Sequence, residues 1–161
     1  MDMEKAKGLN HLIKMISDLL MVEDTVYYSI DTLEYDGIMN EILWEYEDYL
    51  DMSDEEIANI SDSELRDWQK DTVIAIKKTL HLKSHIDKPH SSIAFRWMEE
   101  FTELHDNNQK FFQYAVKALR NRHPFRGFRA ALDKNGLTEK WYTFRAAHME
   151  AYVREGIEPI N

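Results

Sequence analysis

Six residues have the side chains and spacing for binding chemistry: Arg120, Arg122, Arg126, Arg129, Trp141 and Arg145. All lie within residues 117–145, KALRNRHPFRGFRAALDKNGLTEKWYTFR. A guanidinium presents a planar fork of N–H donors that matches a carboxylate or a phosphate two bonds at a time. Stepping about 100° per residue along a helix puts Arg122, Arg126, Arg129 and Asp133 on one line. Phe125, Phe128 and Leu132 fall on a second line about a quarter-turn away, expected to face the core. The arginines would then form an anion-binding ridge beside the core, and the interleaved aromatic rings would suit stacking on bases. The alternative is neutralisation of these arginines by the acidic half of the same chain. Residues 110–145 hold 9 Lys/Arg against 2 Asp/Glu, whereas residues 1–64 hold 3 against 18. The net charge of −10 argues against non-specific binding of DNA or membranes by the whole surface.

Arg145 stands out within the set. On a helix over 138–155, Trp141, Tyr142, Phe144, His148, Met149 and Tyr152 make a wide apolar face, and Arg145 falls inside it. A guanidinium stays charged at any working pH, so burying it without a partner is costly. The pattern therefore predicts that Arg145 is largely buried. It should either pair with a carboxylate from elsewhere in the chain or line a pocket open to an anionic ligand; the alternative is a side chain that snorkels to water at the edge of the face.

Other chemistry finds less support. His81 and His85 are spaced for one helix face, with His90 following, but a third ligand and a glutamate base are missing from the pattern. No histidine has Glu three residues before it, the spacing of di-iron bundles. Gly-x-Ser-x-Gly, phosphate-loop and dinucleotide-binding patterns are missing, so neither a cofactor nor a catalytic residue is expected. A helix–turn–helix through Gly136 would carry only Lys140, Arg145 and Arg154 as cations on its second helix.

The elements that must position these residues read as helices. At 161 residues and 43% hydrophobic, the chain suits a single domain with a real core. Five Gly and three Pro leave little loop material. The expected fold is mainly α, a compact single domain of about five to seven helices with at most one small β-hairpin near residues 25–36. Helical spacing covers 3–21, 38–50 and about 62–82, the last with Leu65, Trp68, Thr72, Ile76 and Leu80 along one stripe. Capping boxes are expected at Ser53/Glu56 and Ser61/Glu64, and Ile86–Pro89 should break the helix before it. Ser92 and Asp106 are candidate caps for two further helices, Pro124 suits a first turn, and Gly136 suits the left-handed stop. Thr138 would cap a last helix closed by Gly156. Val26–Ile30 is β-branched and aromatic, as a strand requires. Cysteine is absent, which fits a reducing cytoplasm. Neither a secretory signal nor an apolar run near the ~20 residues of a membrane span is expected.

Phe125-Arg126, Phe128-Arg129 and Leu132, followed by Trp141-Tyr142 and Phe144-Arg145, resemble the uncharacterised bacterial protein family numbered 0158. That family carries a segment close to A-F-R-R-F-K-x-x-L, a glycine-containing turn, and then W-Y-x-F-R. The resemblance is strongest over 125–145 and extends weakly to Trp68-Gln69 and Tyr27-Tyr28, where the family tends to have a short hairpin. This chain differs at Gly127, at Ala146-Ala147, and at the hairpin glycine, near whose place stands Leu33. The resemblance implies a fold and a bacterial cytoplasmic home rather than a reaction. The leading expectation is a non-enzymatic module with a protein partner. Binding of RNA or a single strand through 117–145 is the second, and an enzyme or sensor with a buried arginine site for a small anion is the third.

Overall fold

The computed structural model describes residues 2–157. Among these it is mainly α, with eight α-helices and one three-stranded antiparallel sheet. The chain divides into two compact units, one running through Lys88 and resuming at Gly156, the other spanning Pro89–Glu155.

The first unit opens with α1 (Met3–Leu19), capped by the Asp2 carboxylate, which accepts from the Glu4 N–H at 3.1 Å. Its apolar positions Leu9, Leu12, Ile13 and Ile16 are buried, as their helical spacing requires. Strands β1 (Thr25–Tyr28) and β2 (Tyr35–Ile38) form the expected hairpin, with Thr25 opposite Ile38 and Tyr28 opposite Tyr35. Leu33 closes it with φ at +62°, a left-handed conformation that glycine adopts more readily. The absent side chain at Gly8 makes room for it, since a Cβ there would lie 2.7 Å from Leu33 Cδ1.

The sheet exceeds the single hairpin expected from sequence. Strand β3 (Ser84–Asp87) pairs with the other edge of β1, giving the order β2-β1-β3. Ile86 falls opposite Val26 and both are buried, while the His85 ring lies 5.5 Å from that of Tyr27. The Lys88-Pro89 break thus ends a strand as well as separating helices. Asp24 ties the ends together. Its carbonyl accepts from the Lys88 N–H at 2.9 Å, and its carboxylate binds Lys88 Nζ at 2.6 Å and the Asn40 N–H at 2.8 Å. The Lys88 bond first, and the Asn40 bond second, hold the Asp24 carboxyl below its ordinary value.

The helix expected over 38–50 is shorter and broken. Ile38 belongs to β2, Asn40–Glu45 forms α2, and Glu47–Tyr49 is a 3-10 turn. Ser53 and Glu56 make both bonds of a capping box, starting α3 (Asp54–Ala58). Ser61/Glu64 does not cap: the Ser61 hydroxyl pairs with that of Ser63, and α4 (Asp67–Leu80) starts later, with Gln69 accepting from the Arg66 N–H. The buried face of α4 is Lys70, Val73, Ile76 and Thr79, so Trp68 points outward at 61% exposure. Val73 and Ile76 join Ile38, Tyr46, Ile57 and Leu65 in one apolar cluster. Lys70 enters this region because its ammonium donates to the Ala58 and Ile60 carbonyls, at and just past the end of α3.

The second unit contains α5 (Ser91–Leu104), α6 (Gln109–Leu119), α7 (Pro124–Lys134) and α8 (Thr138–Ile157), whose last two residues count with the first unit. Two caps each fall two residues from their expected places. His90 Nδ1 accepts from the Ser92 N–H, and Asn108 Oδ1, rather than Asp106, accepts from the Phe111 N–H. Pro124 occupies the first turn of α7. Gly136, at φ +67°, ends α7, and the Leu137 N–H returns to the Leu132 carbonyl at 3.0 Å. Thr138 is helical rather than a cap, and its hydroxyl donates to the Asp133 carboxylate at 2.6 Å. Gly156 does not end α8, which continues to Ile157.

Gly136 is the position where backbone conformation alone decides. A Cβ would meet nothing within 4 Å, so Gly136→Ala isolates the cost of a left-handed residue. The variant should lose about 1–2 kcal/mol of stability in denaturant titration.

Candidate functional site

The site is built on an aromatic core. Phe101 of α5 contacts rings from each of the other helices of its unit: Phe111 of α6 at 5.9 Å, Phe128 of α7 at 6.2 Å, and Trp141 and Phe144 of α8 at 5.4 and 5.3 Å. These contacts are edge-to-face, the arrangement favoured by ring quadrupoles. Phe128 and Trp141 also meet each other, at 5.0 Å. That contact brings α7 and α8 together, and beside it lies a small cavity of about 70 Å³.

Buried Met98, Phe128, Leu132 and Trp141 line the cavity, together with exposed Phe125 and Tyr142. Arg129 and Arg145 contribute its two cations. Arg145 is half-buried, and its Nε is shielded from solvent without a hydrogen-bond partner. Its guanidinium carbon sits 5.4 Å from the centroid of the Tyr142 ring, one helical turn away. Burial pulls the Arg145 guanidinium below its ordinary value, Tyr142 opposes this, and the like charge of Arg129 adds to it. Neither arginine enters an ion pair among the described residues. Asp133, one turn beyond Arg129, is instead bonded to Thr138. Arg145 is half-buried rather than largely buried, lines the cavity, and has no carboxylate partner among the described residues, so of the outcomes that the sequence allows the paired one is not seen.

The other candidates lie nearby in sequence but not in one row. Arg120 is exposed at the end of α6, and Arg122 lies in the bend before α7, not on the helix. A ridge of Arg122, Arg126 and Arg129 on one helix is therefore not present. The helix begins at Pro124, so only Arg126 and Arg129 are on it, both exposed. Like the cavity arginines, Arg120, Arg122 and Arg126 enter no ion pair among the described residues. Trp141 is buried at 8% exposure and serves as cavity wall, leaving no free face for a base. Phe125, expected inside, is 48% exposed, because the first turn of α7 lies beyond the packed stretch that begins at Phe128. Tyr142 is likewise exposed, at 46%.

The histidines do not gather. His81 ends α4, His85 lies in β3 and His90 caps α5. Groups of three or more metal-binding side chains do not occur among the described residues. One pair escaped the sequence pattern: His148 Nε2 lies 3.0 Å from the Glu100 carboxylate, and its ring stacks on Phe144 at 4.2 Å. Glu100 and His148 are far apart in sequence, so only the packing of α5 on α8 reveals it. No described helix is long and apolar enough to cross a membrane. Comparison with family models, curated proteins and solved structures returns no match.

The cavity depends on Trp141. Trp141→Ala should cost about 3–5 kcal/mol, the range for truncating a buried large aromatic. A shifted denaturation midpoint checks this, and an unchanged midpoint would mean that the indole packs nowhere.

Proposed function

We propose that the chain is a non-enzymatic interaction module of a bacterial cytoplasm. It binds an acidic protein partner through the basic, aromatic surface of residues 117–145. The observation that carries this reading is that Arg120, Arg122, Arg126 and Arg129 are exposed and outside any ion pair among the described residues. Phe125 and Tyr142 lie on the same stretch as exposed rings. Arginines and aromatics together are the residue types enriched where proteins meet. The acidic remainder of the chain would repel partners elsewhere and favour this one surface. The resemblance over 125–145 supports the bacterial setting.

A second reading, single-stranded RNA, draws on the same exposed rings. Burial of Trp141 weighs against it by removing the largest stacking surface. Two immobilised probes separate the readings: an acidic Glu/Tyr copolymer and a random RNA pool. At about 50 mM salt, where phosphate contacts are strong, the copolymer should retain the chain and the RNA should not. Replacing Arg120, Arg122, Arg126 and Arg129 together by Gln should abolish retention. Retention by RNA alone would replace the protein partner with a nucleic acid.

A further inference from the structure

We infer that the Arg129–Arg145 cavity is a binding site for an organic carboxylate attached to an apolar body. Two cations flank one small cavity, and the chain supplies neither of them with a carboxylate among the described residues. Arg145 Nε is sealed from solvent and unbonded, a state that natural proteins rarely leave unresolved. The outer end of a guanidinium presents two Nη–H groups side by side, the spacing of two carboxylate oxygens. A single bound carboxylate, held by the Nη–H groups, would therefore offset the repulsion between Arg129 and Arg145.

The walls select among anions. Met98, Phe128, Leu132 and Trp141 are apolar and buried, and the volume of about 70 Å³ admits little more than the head of an acid. A phosphate dianion would lose more hydration there than two guanidinium groups restore, whereas a carboxylate brings one charge and a flat shape. Exposed Phe125 and Tyr142 give the apolar body of the ligand a surface to lie on. The site does not depend on the partner being a protein: a free aromatic or aliphatic acid and an acidic residue beside an apolar one share this chemistry.

The test uses the full chain and four probes: benzoate, benzamide, inorganic phosphate and the blocked peptide acetyl-Leu-Glu-Leu-amide. The readout is the indole N–H signal of Trp141 in two-dimensional NMR, assigned with Trp141→Phe. Benzoate or the peptide should move the signal saturably, while benzamide and phosphate should not. Movement by benzoate identifies free acids as the source, and movement by the peptide alone identifies a partner's side chain. Arg145→Met should weaken binding at least about tenfold, as loss of a charge-assisted bidentate contact requires. Its thermal midpoint should change little, because no carboxylate among the described residues is stranded and loss of the Tyr142 contact is offset by removal of the unbonded N–H. Arg129→Gln, at an exposed position, should weaken binding several-fold with the fold intact. The inference is overturned if neither carboxylate moves the signal, if benzamide or phosphate binds as well, or if both arginine variants bind normally. Copolymer retention could persist in all three cases, so this site and the acidic-partner surface fail separately.

Discussion

The Pro89–Glu155 unit depends on the burial of one ring. Phe101 is 1% exposed and touches aromatic side chains from α6, α7 and α8 at once. Each edge-to-face pair adds about 0.5–1.5 kcal/mol beyond burial, so four of them outweigh most single contacts in a domain of this size. They also set geometry. Phe128 and Trp141 must both reach Phe101, and this fixes which faces of α7 and α8 oppose each other. Arg129 follows Phe128 directly, and Arg145 lies one turn beyond Trp141. Their meeting at one cavity is a consequence of packing the rings.

The energetics explain how Arg145 is tolerated without a partner. A fully buried, unpaired guanidinium would cost several kcal/mol. Arg145 avoids most of this because it is only half-buried and its charge lies against the Tyr142 ring. A cation over an aromatic face contributes about 0.5–2 kcal/mol, depending on how dry the site is. The remaining penalty falls on the Nε–H, which is sealed and unbonded. The free protein bears that cost.

Much of this was legible in the sequence, and the failures have physical causes. Helical spacing and the punctuation at Pro124 and Gly136 located α7, and the apolar face of α8 singled out Arg145. The strand β3 was missed because its burial rests on one residue, Ile86, opposite Val26, a pairing between distant segments. Helical spacing carries the ridge of three arginines back to Arg122, but the helix begins only at Pro124. A stripe through Leu65, Trp68 and Thr72 is also helical and would turn Trp68 inward. The structure instead turns Lys70 and Val73 inward, a choice set by the carbonyls of Ala58 and Ile60. The cavity itself could not be read from periodicity, since its residues come from α5, α7 and α8.

Arg145 is half-buried with a sealed, unbonded Nε–H and has no carboxylate partner among the described residues. The most direct measurement is the NMR spectrum of the arginine Nε–H groups of the free protein. The account predicts an Arg145 Nε–H that exchanges with water far more slowly than those of exposed Arg122 and Arg126, with no coupling across a hydrogen bond to any carboxylate. An Arg145 signal that exchanges as fast as theirs, or one coupled to a carboxylate of the chain, would contradict it.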